Sequence, residues 1–434
     1  MFPTDFIIDL RLQLNPKYGQ FESLPAKLSC KEKEYKLTFC PDGDLEDALS
    51  MIVNDFIWGG KLSSIFKLSE CKIVEEDITL ISDKIKINGI HVSFDMTTKI
   101  RTWEIGLNNV LFKKKGSIEE LTDASIRKLY LLNYGPNIIA ELPVKDFSNE
   151  SIEKDLRLKR KFTYRNSDIE IGYDSDVKYP FLIIYNYSLE LLYEVLALIS
   201  FYYFKPIKQW LCIKKESDWV EYEFTSPFVA HERDADKISQ WDFYSIDGNR
   251  KTNISLELIF DSASNAISKN SQLFHDVLFR TLQTHVDILN DSEQSQFIFY
   301  TSILLTIAEK IHMINEPATQ SVKKLFKLAR IRFDKIDDEQ NRLQSHHFQR
   351  TKVLEDRKGC LFFFHRKKQN SDINTFIDLR NEFIHGLPTP EMLAYIHDSL
   401  LLPKLKHCVF LIILYELGIN ARYSYHVNIL NVQK

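Results

Sequence analysis

The spacing of apolar residues changes near residues 245–270, and this change is the strongest constraint on how the chain can fold. Along Ile8–Leu14, apolar and polar residues alternate, which is the period of a half-buried β-strand. From about Ser271 the apolar period becomes 3.6 residues, which is that of amphipathic helices. We therefore predict an α+β protein of two domains, a β-rich N-terminal domain over 1–265 and an all-α helical bundle over 266–434.

The pattern before this change also predicts individual elements. Lys84–Phe94 is predicted to be a β-hairpin, because its Asn-Gly pair supplies the two positive-φ residues of a type I′ turn. Trp210–Cys212 and Tyr222–Thr225 are predicted strands, whereas Lys113–Lys115 is predicted to be a loop. The main helix of this part is predicted over Ser188–Phe204.

Helices dominate the prediction after the change of period. The expected helices are 271–290, 295–314, 319–350, 371–385 and 390–417. Two runs rich in turn residues, 247–250 and 262–265, are predicted to separate these helices from the strands.

Composition excludes several classes of protein. With 434 residues and 44% apolar content, the chain can form well-packed cores. It contains no GxGxxG or GxxxxGK[ST] segment, so no nucleotide-binding loop and no cofactor are predicted. Its six cysteines lack a CxxC pair, and His346 and His347 have no carboxylate at HExxH spacing, so no metal site is predicted.

Three features predict a cytoplasmic protein that does not enter a membrane. Met1–Asp5 lacks the basic residues that begin a signal peptide. The most apolar run, Leu189–Phe204, is shorter than a bilayer span and contains Glu190 and Glu194. Scattered cysteines without a disulfide pattern fit the reducing cytoplasm.

The predicted 371–385 helix carries an arginine in the middle of its apolar stripe. The stripe consists of five apolar residues, Ile373, Phe376, Ile377, Phe383 and Ile384. Arg380 cannot be neutralised and is costly to bury unpaired, so we expect it to bind a carboxylate or a phosphate. His385 lies in the last turn, where the carbonyl end of the helix favours a protonated imidazole, and Asn381 lies one turn before it. An arginine that pairs only with a core carboxylate is the structural alternative.

The spacing of an arginine five residues before a histidine is not specific by itself. It occurs three times, at Arg280–His285, Arg342–His347 and Arg380–His385. The third pair differs in its apolar helix, its adjacent Asn381 and the glycine that follows the histidine. We interpret Arg280 and Arg342 as solvated or locally paired residues.

The segment Leu379–Gly386 resembles the RNxxxH signature of HEPN domains, the higher eukaryote and prokaryote nucleotide-binding helical domains. Ala308–His312 is similar to the ExxH segment of many members, although Thr306–Ala308 before it is less leucine-rich than expected, and Leu414–Ile419 looks like their closing helix. Further upstream, Phe56–Leu62 and the Ser188–Phe204 helix resemble the ApeA-type N-terminal domain that bacterial anti-phage proteins carry in front of a HEPN domain.

This resemblance implies an endoribonuclease that needs no metal ion. In such a reaction the ribose 2′-OH attacks the adjacent phosphate, which leaves a 2′,3′-cyclic phosphate and a 5′-OH end. Arg380, Asn381 and His385 are the catalytic residues that the resemblance implies, and Glu309 and His312 support them. Transfer RNA is the substrate class that it implies, and anti-phage defence by abortive infection is the biological role.

Glu309 is the expected partner of Arg380. On the predicted 295–314 helix it shares a face with Ile298 and His312, and a carboxylate on such a face needs a cation. The pair is expected either to hold the helices together or to position the guanidinium until a phosphate arrives.

Basic residues after the 295–314 helix predict contacts with phosphates. Residues 323–368 hold fourteen Lys and Arg against six Asp and Glu, although the whole chain has a net charge of −4. The predicted RNA-binding residues are Lys323, Lys324, Lys327, Arg330 and Arg332. A merely solvated helix face is the alternative for each of them.

Proton transfer at the cleavage site predicts a homodimer. The reaction uses one group that accepts a proton and another that donates one, whereas each chain offers one histidine in the motif. A two-fold seam through Ile377, Arg380 and Ile384 would bring two copies of His385 together. A phage-derived trigger is expected at the N-terminal domain. A non-catalytic module that binds RNA or a protein partner remains the alternative function.

Overall fold

The computed structural model describes residues 6–14, 24–31, 34–41, 46–47, 49, 51, 53, 66–72, 78–81, 85–132, 160–174, 179–203, 207–224, 243–247, 250–288, 291–331, 367–368, 371–372, 380–381, 384, 401–419 and 421–423. The chain forms two compact units, which comprise Met1–Leu189 with Ile207–Phe228, and Glu190–Pro206 with Val229–Lys434. This division differs from the predicted boundary at residue 265. The helix that follows Leu189 and the residues after Phe228 group with the second unit, so the chain passes between the units more than once.

Two antiparallel sheets form the first unit. Its strands are β1 (Phe6–Leu14), β2 (Leu24–Lys31), β3 (Glu34–Phe39), β4 (Phe66–Lys72), β5 (Ile78–Ile81), β6 (Lys86–Phe94), β7 (Arg101–Asn108), β8 (Val110–Lys115), β9 (Arg127–Leu132), β10 (Arg160–Tyr164), β11 (Ser167–Asp174), β12 (Tyr179–Ile184), β13 (Lys208–Glu216) and β14 (Trp219–Phe224). One sheet has the order β4-β1-β2-β3-β7-β6, and the other has the order β10-β11-β12-β9-β13-β14-β8-β5. The predicted β-rich N-terminal region is confirmed.

The two sheets share one hydrophobic core. Trp103, Ile105 and Leu107 are buried at alternate positions of β7, which is the period that the sequence predicts for a half-buried strand. From the other sheet, Phe224 joins the same core, and its ring centroid lies 5.0 Å from that of Tyr35. Each buried side chain of this size contributes roughly 1.5–3 kcal/mol of hydrophobic stabilisation.

The predicted hairpin at Lys84–Phe94 is wrong. Lys86–Phe94 is one continuous strand, and Gly89 lies opposite Gly106 of β7 at a shift of register. The turn follows β6, where the Asp95 N–H donates to the Ile100 carbonyl at 3.0 Å. A glycine inside a strand is tolerated at such an irregularity, and so an Asn-Gly pair does not by itself require a reversal of the chain.

Lys113–Lys115 lie in β8 rather than in the predicted loop. Lys113 forms ion pairs with Glu216 and, at 3.4 Å, with Glu221, whose side chain is buried. Carboxylates on the neighbouring strands therefore neutralise a lysine that would otherwise disfavour a strand.

The second unit consists mainly of helices, and its described residues also form two small sheets. Its main elements are α1 (Leu189–Tyr203), β15 (Phe243–Asp247), β16 (Arg250–Asn253), α2 (Leu256–Lys269), α3 (Ser271–Leu273), a π-helical segment π1 (Phe274–Phe279), α4 (Arg280–Asp287), α5 (Glu293–Thr306), a second π-helical segment π2 (Ile307–Ile311), α6 (Ala318–Leu328), β17 (Lys367–Lys368), β18 (Ser371–Asp372), α7 (Leu401–Glu416) and β19 (Ala421–Tyr423). α5 packs against α4, α6 and α7, and α6 also contacts π2. β15 lies between β16 and β19. The predicted helix over Ser188–Phe204 is confirmed as α1.

The turn predicted at residues 262–265 is wrong, because these residues lie inside α2. Ser255 caps this helix, and its hydroxyl accepts the Leu258 N–H at 3.1 Å. Ile259, Phe260 and Ala263 form its buried face. Small side chains such as serine and alanine allow close packing on such a face, which a count of turn residues does not detect.

The helix predicted over 319–350 ends at Leu328. Arg330 has a φ of 56°, a left-handed conformation that terminates a helix. The Ile331 N–H donates to the Phe326 carbonyl at 2.9 Å and closes this terminus. Residues 332–350 lie outside the described residues.

The helix predicted over 371–385 does not begin at its expected residue. Ser371 and Asp372 form β18, which pairs with β17. Residues 380, 381 and 384 are helical, so the described end of the prediction agrees with the structure. Of the helix predicted over 390–417, the described part is α7.

An aromatic cluster forms part of the core of the second unit. The Phe201 ring of α1 lies 4.4 Å from that of Phe410, measured between centroids, and 5.5 Å from the imidazole of His285. The Tyr300 ring lies 5.5 Å from the same imidazole. Burial lowers the pKa of His285 to about 3, so it is neutral at physiological pH.

Among the described residues, no helix has the length and apolar character that crossing a membrane requires.

Candidate functional site

Arg380 is partly buried, and one of its guanidinium nitrogens has an unused hydrogen-bonding capacity. Its Nη1 donates to Oδ1 of Asn381 at 3.0 Å. Its Nε is buried and, among the described residues, has no hydrogen-bond partner. An unsatisfied buried donor costs about 1–3 kcal/mol, and more when it is charged. A bound anion that accepts from Nε would remove this cost.

His385, the second residue of the predicted catalytic pair, lies outside the described residues, and so does Arg332. The structure therefore places Arg380 and Asn381 together and leaves the histidine of the motif untested. Ile384, one turn after Arg380, is 44% exposed. The described end of this helix thus presents an apolar side chain next to the guanidinium.

Glu309 does not pair with Arg380 as expected. Its carboxylate lies 3.0 Å from Lys310 Nζ, and both side chains are more than half exposed. Such a pair at the surface contributes at most about 1 kcal/mol. Glu309 belongs to π2, and the wider π-turn shifts it relative to the positions that an uninterrupted α-helix would give it.

His312 instead binds a carboxylate that the sequence did not single out. Its Nε2 lies 2.7 Å from Oε1 of Glu416 in α7, and its ring stacks against that of Tyr415 at 6.4 Å between centroids. His312 directly follows π2, and Met313 after it has a φ of 51°. An acidic residue directly after the apolar run Cys408–Tyr415 was the signal in the sequence that could have identified Glu416.

Burial raises the pKa of Glu416, and its contact with His312 opposes this effect. The side chains of His312 and Glu416 are 20% and 8% exposed, respectively. The imidazole therefore remains accessible to a ligand, whereas the carboxylate lies beneath it. This contact holds the ring in one orientation.

Three lysines and one arginine of the predicted basic surface lie in or next to α6. Lys324 and Lys327 are exposed and Lys323 is half-buried, whereas Arg330 is exposed just beyond the helix. Lys324 contacts Glu316, which leaves part of its charge neutralised. Because α6 packs against π2, these residues and His312 belong to neighbouring elements of one unit.

The two residues of the first Arg–His pair have different environments. Arg280 is exposed, as expected, whereas His285 is fully buried in the aromatic cluster. Another buried group is Lys406 of α7, whose pKa burial lowers to about 7. The sequence pattern did not predict the burial of Lys406 or of His285, because both depend on packing between helices.

Comparison of the chain with models of protein families, with curated proteins and with solved structures found no match.

Proposed function

We propose that the second unit is a HEPN-type endoribonuclease that cleaves RNA without a metal ion. The observation that carries this proposal is the partly buried guanidinium of Arg380, with Nη1 on Asn381 and Nε unsatisfied among the described residues. A guanidinium binds phosphate oxygens through several parallel hydrogen bonds, so a phosphodiester supplies what this side chain lacks.

The chemistry follows from the three residues of the motif. In the proposed reaction the ribose 2′-O forms a bond to phosphorus as the bond from phosphorus to the 5′-oxygen breaks. His385 accepts the proton of the 2′-OH, and a second imidazole, the other copy of His385 in a homodimer, protonates the leaving 5′-oxygen. Arg380 stabilises the charge of the phosphorane, and Asn381 holds the guanidinium in place.

His312 and Glu416 take a supporting role in this proposal. The carboxylate of Glu416 holds the imidazole, whose side chain is 20% exposed, in one orientation at the surface. Such a ring binds a phosphate of the RNA next to the cleaved one. Glu309, which lies at the surface on Lys310, is assigned no part in binding Arg380.

RNA rather than DNA is the proposed substrate, because the nucleophile is the 2′-OH. The exposed Lys324, Lys327 and Arg330 would contact phosphates independently of sequence, which suits a folded RNA such as transfer RNA. The proposed biological role is anti-phage defence in the cytoplasm by abortive infection, with a phage-derived trigger at the first unit.

Incubation of the purified full-length protein with total RNA in EDTA tests the proposal. The expected result is cleavage that leaves 2′,3′-cyclic phosphate and 5′-OH ends, read by end-specific ligation and sequencing. An extract of phage-infected cells is added in a parallel reaction to supply a trigger. Cleavage that requires Mg²⁺, or that leaves 5′-phosphate ends, would exclude this mechanism. RNA binding without cleavage in both reactions would favour a non-catalytic RNA-binding module, to which the exposed lysines of α6 also point.

A further inference from the structure

Three side chains with metal-binding donors converge in the second unit. Glu190 and Glu194 lie one turn apart on α1, and His275 belongs to π1. One donor atom from each of the three lies within 4.8 Å of the other two. The residues are distant in the sequence, which is why no local spacing predicted a metal site.

The distance between His275 and Glu194 suits a shared cation better than a direct hydrogen bond. His275 Nδ1 lies 3.4 Å from Oε1 of Glu194. A hydrogen bond between such atoms usually spans about 2.7–3.2 Å. Two ligands of a tetrahedral zinc ion, each about 2.0–2.1 Å from the metal, lie about 3.4 Å apart.

The three side chains differ in how deeply they are buried. The carboxylate of Glu194 is fully buried, the His275 side chain is 27% exposed, and Glu190 is exposed. The exposed side of Glu190 provides the path by which an ion and a water ligand can enter.

Neighbouring aromatic rings orient the imidazole. The rings of Phe274 and Phe279 lie 5.2 and 6.3 Å from that of His275, and both are close to perpendicular to it. The π-helical turn that holds these three residues is a local irregularity of a kind that is frequent at functional sites.

We propose that Glu190, Glu194 and His275 bind a divalent transition-metal ion of the zinc class. Two carboxylates and one imidazole are three protein ligands, which leave a fourth position for water. The nitrogen ligand favours Zn²⁺ over Mg²⁺ and Ca²⁺, which take oxygen ligands. The ion would tie α1 to π1 and thereby stabilise the second unit. None of the three residues is among those proposed to cleave RNA, and the test of the metal site does not depend on cleavage.

Zinc titration of the full-length, metal-stripped protein tests the site by isothermal calorimetry. The expected result is one equivalent bound, with no comparable binding of MgCl₂. His275→Ala and Glu190→Gln are each expected to weaken zinc binding by at least about tenfold, since even groups that only orient metal ligands contribute that much. Glu190→Gln changes an exposed side chain and so keeps the test valid if variants of the buried Glu194 fail to fold.

The matched controls are His91→Ala and Glu293→Gln, which remove an exposed histidine and an exposed glutamate outside the cluster. Both are expected to bind zinc as the unmodified protein does. With Co²⁺ as the probe, a visible absorption band of tetrahedral intensity is expected and should be lost in His275→Ala. The proposal would be overturned if the protein did not bind one saturable equivalent of zinc. It would also be overturned if His275→Ala and Glu190→Gln bound zinc as tightly as the unmodified protein does.

Discussion

His312 Nε2 lies 2.7 Å from Oε1 of Glu416, so a partly exposed imidazole rests on a buried carboxylate. Burial raises the pKa of Glu416 above its ordinary value, which means that the folded state binds a proton at this group more tightly than the unfolded state does. The stability that this group contributes is therefore fully present below the pKa of an unfolded glutamate, and it is lost as the pH rises through the folded pKa.

The unfolding free energy of Glu416→Gln is expected to rise relative to that of the unmodified protein as the pH increases above about 4.3, the pKa of an unperturbed glutamate. Glutamine keeps an oxygen that accepts from the imidazole but carries no charge to desolvate. Urea unfolding at a series of pH values measures the difference in unfolding free energy. A difference that stays constant with pH would show that Glu416 does not titrate with a raised pKa.

Arg380→Ala is expected to abolish RNA cleavage without unfolding the protein, because Nε has no partner to lose among the described residues. His385→Ala should have the same effect. The matched control is Arg280→Ala, which changes an exposed arginine that also stands five residues before a histidine, and it should keep full activity. Circular dichroism checks the fold. If Arg380→Ala unfolds, Arg380 instead forms a structural ion pair. If both variants keep full activity, the active site lies elsewhere in the protein.

Reversal of charge on α6 is expected to weaken RNA binding and its dependence on salt. The variants are Lys323→Glu, Lys324→Glu and Lys327→Glu. For each lost contact with a phosphate, the magnitude of the slope of log K, the RNA association constant, against log salt concentration should fall by about 0.7 for a single strand. Lys269→Glu, at the exposed end of α2, is the control that should leave the slope unchanged. Binding measured by fluorescence anisotropy at several salt concentrations gives the slopes. Equal slopes for all variants would show that α6 is only a solvated surface.

Ile384→Asp is expected to convert a homodimer into an inactive monomer, because Ile384 is 44% exposed beside Arg380 and a dimer seam would bury it. Light scattering at the assay concentration measures the mass. Mixing Arg380→Ala with His385→Ala protein should restore partial cleavage if each shared site takes residues from both chains. A catalytically active monomer would contradict the composite site.

His285→Phe is expected to make the protein less sensitive to acid. Burial lowers the pKa of His285 to about 3, so the stability it contributes is present above the pKa of an unfolded histidine and is lost as the pH falls from about 6.5 towards 3. The full loss is on the order of 5 kcal/mol as an upper bound. Phenylalanine suits the aromatic surroundings and does not titrate. Thermal melting at pH 7 and pH 4.5 checks this, and an identical loss of stability in both proteins would contradict it.

The periodicity of the sequence was enough to predict the β-rich N-terminal region and the presence of helices after it. The prediction that residues 266–434 are all-α is wrong, because β17, β18 and β19 lie there. Alternation along β1 and a period of 3.6 residues in α4 and α6 are local properties, because each side chain's direction follows from the backbone of its own element. The predictions of single elements were wrong where one local sequence pattern is compatible with two different structures. The Asn-Gly pair of β6 fits both a hairpin and an irregular strand, and the serines of α2 fit both a turn and a tightly packed helix.

The sequence by itself also predicted that Arg380 binds an anion, because a guanidinium keeps its charge in any fold. Only the tertiary structure decided the partners of the other site residues. Glu309 lies on Lys310 at the surface, whereas His312 reaches Glu416 of a distant helix. The π-turns shift residues relative to an ideal helix, and packing between helices that are far apart in the chain selects which carboxylate meets which imidazole. Neither effect leaves a periodic signal in the sequence.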